Sequence, residues 1–415
     1  MIGPRDLGQI LHHLFDGQIP LALGVALSGG GDSGALTVML AEWCENRRNI
    51  LFAATVDHGL RPEAATEAAY AAQLCAELDI GHTILHWTDR PETGNLQDAA
   101  RRARQSLLGA WAHDMELPAI ALGHTQDDQA ETVLMRLARG SGVDGLSAMS
   151  ETRRDENALW IRPFLTQRRA DLRAYLDDRG VRWHDDPSNA DPRFDRVKAR
   201  QVLKTLAPLG LTAETLARTA DHMADARHAL ERTTQDLARQ ALTLDHGDLL
   251  IDRAMLAEAP FEIQARLMVH ALGWVASTDY RPRFRALTAV MQALSDGRTQ
   301  TLQGCLATAN QRYFRITREF NAVETLRVPA SEQIWDKRWH LSGPAPDTAH
   351  IAALGEVGLR QLEDPGPLPR ASRVALPAVW DGDVLMAAPL PDDGSDWSLT
   401  LRHGEEHPIT SIISD

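Results

Sequence analysis

Over the first 140 residues, four apolar runs alternate with four longer amphipathic segments, and few folds accept that rhythm. Leu21–Leu27, Ile50–Asp57, His82–Trp87 and Ala119–Gly123 have strand length. Gly34–Glu45, Pro62–Leu78, Leu96–Met115 and Thr125–Arg139 have helical length and periodicity. The alternation predicts an α/β fold: a Rossmann-like, doubly wound parallel sheet with helices on both faces and ligands at the C-terminal ends of the strands. The polar motifs of the chain fall at those ends. Asp57-His58-Gly59-Leu60-Arg61 follows the second run, and Gly123-His124-Thr125-Gln126-Asp127-Asp128 opens the segment after the fourth.

Between the first run and its helix lies Ser28-Gly29-Gly30-Gly31-Asp32-Ser33. Three successive glycines let the backbone approach a bulky polyanion. The serines add hydroxyl donors, and the N–H groups of the first helical turn face the same space. This predicts a phosphate cradle. It is not a Walker A loop, because no Gly-Lys pair occurs in the chain. A carboxylate in an anion site repels phosphate unless a cation stands between them, so Asp32 is predicted to ligate Mg²⁺. The competing reading is an ordinary glycine turn capped by Ser28 or Asp32.

At the fourth run, His124 and Asp128 are four residues apart, Asp127 and Glu131 four, and Asp128 and Glu131 three, which gathers them on one side of a helix. Like charges at this spacing oppose a helix by about 0.2–0.5 kcal/mol per pair. The helix dipole favours acids in a first turn and accounts for Asp127 and Asp128, but not for Glu131 and His124. A divalent cation or a substrate ammonium accounts for all of them. Asn95 to Arg104 places Arg101 and Arg104 at helical spacing, with plain surface charge as the alternative.

At 415 residues the chain exceeds what one core supports, so more than one domain is expected. The pattern predicts catalysis in residues 1–208, a mainly helical domain in 209–328 and a small acidic C-terminal region in 329–415. No apolar stretch approaches the roughly 20 residues of a membrane span, and Met1 to Phe15 lacks the pattern of a secretion signal, so a cytoplasmic location is expected. Cys44, Cys75 and Cys305 are far apart with no Cys-x-x-Cys pair, which argues against a disulfide framework, a zinc site or an iron–sulfur cluster. The net charge of −14 opposes indiscriminate nucleic-acid binding. The excess is uneven: Ser331–Asp415 holds 14 acids and 6 bases, whereas Glu151–Lys204 holds 10 acids and 13 bases. Arg193, Arg196, Lys198, Arg200 and Lys204 oppose only Asp195 at its end, which predicts a placed polyanion contact or, alternatively, a solvated helix face.

In order, the loop Ser28–Ser33, Val56–Arg61, Asn95–Arg104, Gly123-His124 with Asp127–Thr132, Arg139–Gly142, and Asp186–Asp191 with Phe194, Arg196 and Arg200 resemble the tRNA(Ile)-lysidine synthetase family of the N-type ATP pyrophosphatase (PP-loop) superfamily. The resemblance covers residues 20–200. It departs at Gln105, where the family usually has tyrosine, and at Val197, where it often has asparagine. It implies an adenine nucleotide alpha hydrolase-like domain and a ligase that joins free lysine to C2 of the wobble cytidine in the CAU anticodon of tRNA(Ile). The reaction would pass through an adenylated tRNA, release AMP and pyrophosphate, use ATP and Mg²⁺, and require no protein partner. By the same resemblance ATP contacts Ser28, Gly29, Gly30, Gly31, Asp32, Ser33, Asp57, His58 and Gly123. Asp32, Arg101, His124, Asp128 and Glu131 are catalytic, with metal at Asp32 and Asp128. Arg193, Arg196, Lys198 and Arg200 touch tRNA, and residues 209–328 help bind it. Rival readings are another PP-loop tRNA-modifying enzyme and an inactive tRNA-binding homologue. A thiolase calls for reactive or cluster-binding cysteines, an amidotransferase for a glutaminase, and the inactive homologue is at odds with the intact loop and acids.

Overall fold

The computed structural model describes residues 2–45, 47–59, 63–91, 96–184, 193–278, 280–362, 366–388 and 396–413. The chain forms two compact units, one up to Arg227 and one from His228 onward.

The first unit is built on a six-stranded sheet: β1 (Ala22–Ala26), β2 (Ile50–Asp57), β3 (Gly81–His86), β4 (Ala119–Ala121), β5 (Thr152–Arg154) and β6 (Leu159–Ile161), in the order β3-β2-β1-β4-β6-β5. All neighbours are parallel except β5, which pairs antiparallel with β6. Its helices are α1 (Pro4–Leu14), α2 (Gly31–Cys44), α3 (Glu63–Glu77), α4 (Leu96–Asp114), α5 (Gln126–Ala138), the single turn α6 (Val143–Leu146), α7 (Arg169–Asp177) and α8 (Asp195–Leu206), and the chain passes into the second unit within α9 (Ala213–Ala241).

Strand alternation sets the two faces. Leu23, Val25, Leu51, Ala53, Ala119 and Ala121 point into a core shared with Leu7 and Leu11 of α1, Leu36 and Leu40 of α2, and Leu172 and Leu176 of α7. Ala54 and Ile120 point the other way, against Leu108 and Trp111 of α4 and Trp160 of β6. Each fully buried Leu or Val contributes about 1.5–3 kcal/mol relative to leaving it in water. From Ala35 to Ala41 helix α2 is buried on all sides, which its apolar sequence permits because the one hydroxyl, Thr37 Oγ1, donates to the Ser33 carbonyl at 2.9 Å.

The predicted strands and helices of this unit lie within a few residues of those observed, and α2 starts three glycine-loop residues early, at Gly31. Helix α1 and the short strands β5 and β6 were not expected. Three-residue strands carry too little sequence to display a period. The order 3-2-1-4 puts a topological switch point between β1 and β4, where the loops after adjacent strands turn to opposite faces.

In the second unit, β7 (Leu242–Asp245), β8 (Asp248–Asp252), β9 (Gln300–Leu302), β10 (Cys305–Ala309) and β11 (Tyr313–Arg318) make an antiparallel sheet in the order β7-β8-β11-β10-β9. Helices α10 (Arg253–Glu258), α11 (Phe261–Ala276) and α12 (Phe284–Ser295) accompany it, and Leu267, Leu272 and Val290 pack with Leu249, Ile251 and Ile316. The region read as mainly helical thus carries a five-stranded sheet. Strands β9 and β10 are joined by a turn in which Gln303 and Gly304 both have positive φ. The acidic end also folds: a four-stranded and a three-stranded sheet enclose Trp335, Leu341, Ile351 and Val379. No described helix is long and apolar enough to cross a membrane.

Candidate active site

The glycine loop leaves β1 at Ala26 and becomes the first turn of α2. Gly29 has φ +81°, a left-handed conformation that reverses the chain at little cost only for glycine. The Ser28 N–H donates to Ser33 Oγ at 3.1 Å, the two hydroxyls meet at 3.0 Å, and Ser33 Oγ donates to the Gly30 carbonyl at 3.1 Å. The serine hydroxyls therefore clamp the loop. Helix α2 has no side-chain cap, so the N–H groups of its first turn are left for an anion.

Gly123 brings the second motif to the first. A Cβ placed there would stand 2.9 Å from both the N and Cα of Ser33, so only glycine lets the end of β4 approach the loop so closely. Two residues on, Thr125 caps α5 in a reciprocal box: its N–H and Oγ1 donate to Asp128 Oδ2 at 2.9 and 2.8 Å. That leaves Asp128 Oδ1 outside the cap. One turn later comes Glu131, 1 % exposed.

An arginine that no sequence motif singled out ties these acids together. Arg169, the first residue of α7, donates from Nε to Asp32 Oδ2 at 2.7 Å, from Nη2 to Asp128 Oδ1 at 2.9 Å and from Nη1 to Glu131 Oε1 at 3.4 Å. Arg200 Nε holds the same Glu131 oxygen at 2.5 Å. Asp127 is drawn aside. It accepts from the Arg169 N–H at 2.8 Å and from both ends of the Arg168 guanidinium at 3.2 and 3.3 Å.

Burial pushes the Asp32 carboxyl above its usual range, and Arg169 offsets only part of that. Burial also acts on Asp128, but Arg169 and the Thr125 hydrogen bonds outweigh it and hold that carboxyl low. Arg169 is buried too, and its three acids hold it firmly charged. His124 is pushed far down, first by burial and then by Arg162, Arg104 and Arg196, against the pull of Asp128. It is neutral at physiological pH, with Nδ1 buried and unpartnered. The arginines around it form a positive rim. Arg162 is pushed down to about 10 by burial, then by Arg153 and Arg101, and Arg104 is lowered by its surroundings and by Arg101 and Arg196.

The donor set fits a hard divalent cation. Its atoms are carboxylate oxygens, and Asp32 Oδ1 is buried with no hydrogen-bond partner. Among the described residues no three acids or imidazoles are placed to hold a metal ion, and Asp32 and Asp128 are the pair that could hold one together with oxygens of a bound substrate.

Comparison with known proteins identifies the family. A family model described as a PP-loop domain matches residues 5–206. The tRNA(Ile)-lysidine synthase of Ruegeria pomeroyi is 44% identical over 415 residues, covering 100% of this chain and 99% of that one. The chain belongs to the tRNA(Ile)-lysidine synthase family. The family's enzyme from Rhodopseudomonas palustris is 43% identical over 257 residues, 60% of this chain and 74% of that one. Among solved structures, a U34-tRNA thiolase from Methanococcus maripaludis with its [4Fe-4S] cluster overlaps with TM-score 0.46 and 19% identity over 54% of this chain and 77% of that one.

The remaining predicted positions sort by helix geometry and burial. At the end of β2, Asp57 Oδ1 accepts from the Gly59 N–H at 2.7 Å, and His58 meets Trp87 edge-on at 5.8 Å with its Nδ1 buried and unpartnered. Burial, with Arg104 and Arg90, holds the His58 pKa down. Arg101 lies exposed on α4 beside this rim. The basic strip divides on α8. Arg196 and Arg200, four apart, share a face: Arg196 acts on His124, and Arg200 turns inward to Glu131. Lys198 lies on another side, paired with Asp195 at 3.3 Å, and Arg193 is exposed before the helix. Leu60, Arg61, Asn95 and the motif at 186–191 lie outside the described residues. The cysteines are free thiols, pushed by burial to about 11 for Cys44 and about 12 for Cys75 and Cys305.

Proposed function

We propose that this chain ligates free lysine to C2 of the wobble cytidine in the CAU anticodon of an isoleucine tRNA, using ATP. The observation that carries the reading, within a member of this family, is a phosphate loop and a carboxylate cluster joined at one switch point by Gly123 and Arg169.

The chemical obstacle is that a cytidine carbonyl oxygen leaves poorly. Its attack on the α-phosphate of ATP forms a C2–O–P linkage and expels pyrophosphate, which the N–H groups of Gly31, Asp32 and Ser33 receive. The lysine amine then adds at C2, AMP leaves with that oxygen, and the amine proton passes to a base. Mg²⁺, when bound, supplies positive charge against the phosphates. Lysine's amino group has an unperturbed pKa near 10.4, so a neighbour must take its proton. Glu131 is assigned to the ammonium and its proton. His124, being neutral, donates or accepts a hydrogen bond beside the α-phosphate rather than acting as a cation. Arg101, Arg104 and Arg162 offset charge on the adenylate, Asp57 and His58 contact the nucleotide, and Arg193 and Arg196 meet the anticodon stem. We assign these steps to residues 1–208 and part of the tRNA grip to 209–328.

The test supplies ATP, Mg²⁺, labelled lysine and CAU-anticodon tRNA, with a parallel transcript carrying uridine at the wobble position. Label entering only the first RNA supports the reading. Label entering neither, with AMP release independent of RNA, removes it.

A further inference from the structure

The acids assigned to catalysis enclose a guanidinium. Each Arg169 nitrogen takes a different carboxylate: Nε Asp32, Nη2 Asp128 and Nη1 Glu131. The mechanism above gives Arg169 no part.

Two features set it apart from a structural ion pair. Its backbone is anchored independently, because its N–H donates to Asp127, which Arg168 also grips. The side chain can therefore leave the acids while α7 stays in place. The acids also outnumber the cations that pair with them directly. Arg169 and Arg200 bring two positive charges to three carboxylates by direct ion pairs, Arg173 acts on Asp32 from farther off, and Asp32 Oδ1 is buried without a hydrogen-bond partner.

We propose that Arg169 is a positioning residue that holds the place of the divalent cation in the nucleotide-free enzyme and gives it up when metal and nucleotide enter together. The proposal rests on the reading of this site as one for a metal–nucleotide complex. Magnesium takes oxygen ligands at about 2.0–2.1 Å, so it cannot share the space between Asp32 and Asp128 with a guanidinium bonded to both. Exchanging a monovalent for a divalent cation brings the group of three acids and Arg200 to neutrality. A metal ion arriving alone must break the Arg169 bonds with nothing offered in return. A metal arriving with a polyphosphate offers the displaced guanidinium new oxygens, the ligand class arginine binds best. Metal and nucleotide binding are then positively coupled, and the acids stay aligned without metal.

The test measures Mn²⁺ binding to the full chain by electron paramagnetic resonance, with and without α,β-methylene-ATP, which cannot lose pyrophosphate. In wild type, Mn²⁺ alone binds weakly and the nucleotide tightens it. Arg169→Ala and Arg169→Gln should bind Mn²⁺ alone at least about 10-fold more tightly and lose most of the coupling, on the order of the 5–150-fold typical of coupled sites. Adding Asp32→Asn to either should abolish the gain. Unchanged or weaker Mn²⁺ binding in both single variants overturns the proposal, as does a gain that survives Asp32→Asn. If both variants melt below the assay temperature, recovery of melting by Mn²⁺ supports the exchange and its absence overturns it. Lysine transfer by wild type is scored separately, so its failure with this metal result intact removes the functional reading and leaves the exchange standing.

Discussion

In the first unit Arg169 bridges Asp32, Asp128 and Glu131; in the second, Arg315 bridges Asp245 and Asp248, the latter at 2.6 Å. The groups are the same and the packing is comparably tight, yet the oxygens are used differently. Asp248 Oδ2 also accepts from Ser372 Oγ at 2.6 Å, and Asp245 Oδ1 meets His246 Nδ1 at 2.8 Å. Among the described residues, neither acid has a buried oxygen without a partner, whereas Asp32 does. Position differs as well. Asp245 and Asp248 flank a hairpin turn and Arg315 reaches them from β11, so the pair stitches a sheet. Asp32, Asp128 and Glu131 follow the ends of β1 and β4, where a parallel sheet opens. An arginine–carboxylate cluster thus marks a site when its acids are under-satisfied and the backbone places them at an opening.

That contrast can be broken most directly at one acid from each unit. Asp32→Asn should lower AMP formation about 10²–10³-fold, the scale of losing a group aimed at transition-state charge, with little change in urea unfolding. Asp248→Asn should cost about 3 kcal/mol in the same unfolding experiment, as removal of one partner from a buried ion pair does, and leave AMP formation per folded molecule unchanged. Crossed outcomes would dissolve the distinction.

Gly123→Ala tests whether the loop and the acids depend on close approach. Relieving a 2.9 Å contact with backbone should cost about 1–3 kcal/mol and raise the apparent KM for ATP about 10-fold, and an unchanged KM would separate the two motifs. On α8, Arg196→Gln should lower the slope of log affinity for tRNA against log salt by about 1, and Lys198→Gln by less, because the helix turns Lys198 elsewhere. Equal slopes would restore a single strip.

The smallest effect concerns protons. Burial holds His124 far below its ordinary value and His270, in the second unit, at about 4. An unfolded histidine titrates near 6.5, so the unfolded chain binds the proton first. Stability is full above that pH and falls as pH drops toward 4. His270→Gln should remove about 1–2 kcal/mol of the loss between pH 6.5 and 5 measured by urea unfolding. A variant that loses as much as wild type would place the acid sensitivity elsewhere. Because His124 is neutral throughout, AMP formation should show no inflection from it near pH 6.5.

Much of the first unit was legible because its signals are local. The sheet announces itself in the alternation of apolar runs with longer amphipathic segments, and the loop in six contiguous residues. His124, Asp128 and Glu131 were found by helical spacing, and they do converge. Their division of labour was not legible. Nothing in the spacing says that Asp127 is drawn aside by Arg168, or that Asp128 gives one oxygen to the cap of its own helix. In the second unit the long helices carry the stronger periodicity, and the short strands of the five-stranded sheet leave a fainter pattern whose pairing the sequence does not show.

The sequence by itself determined that β1 ends in a glycine loop able to hold phosphate and that an imidazole just before α5 stands near three acids in its first turns, since both depend on residues a few positions apart. Tertiary structure alone decided that Arg169 closes on Asp32 from 137 residues away, that Arg200 caps Glu131, and that Gly123 must have no side chain. A guanidinium is chemically the same wherever it stands in the chain. Which acids it neutralises depends on where the sheet and α7 carry it, and no period in the sequence records that distance.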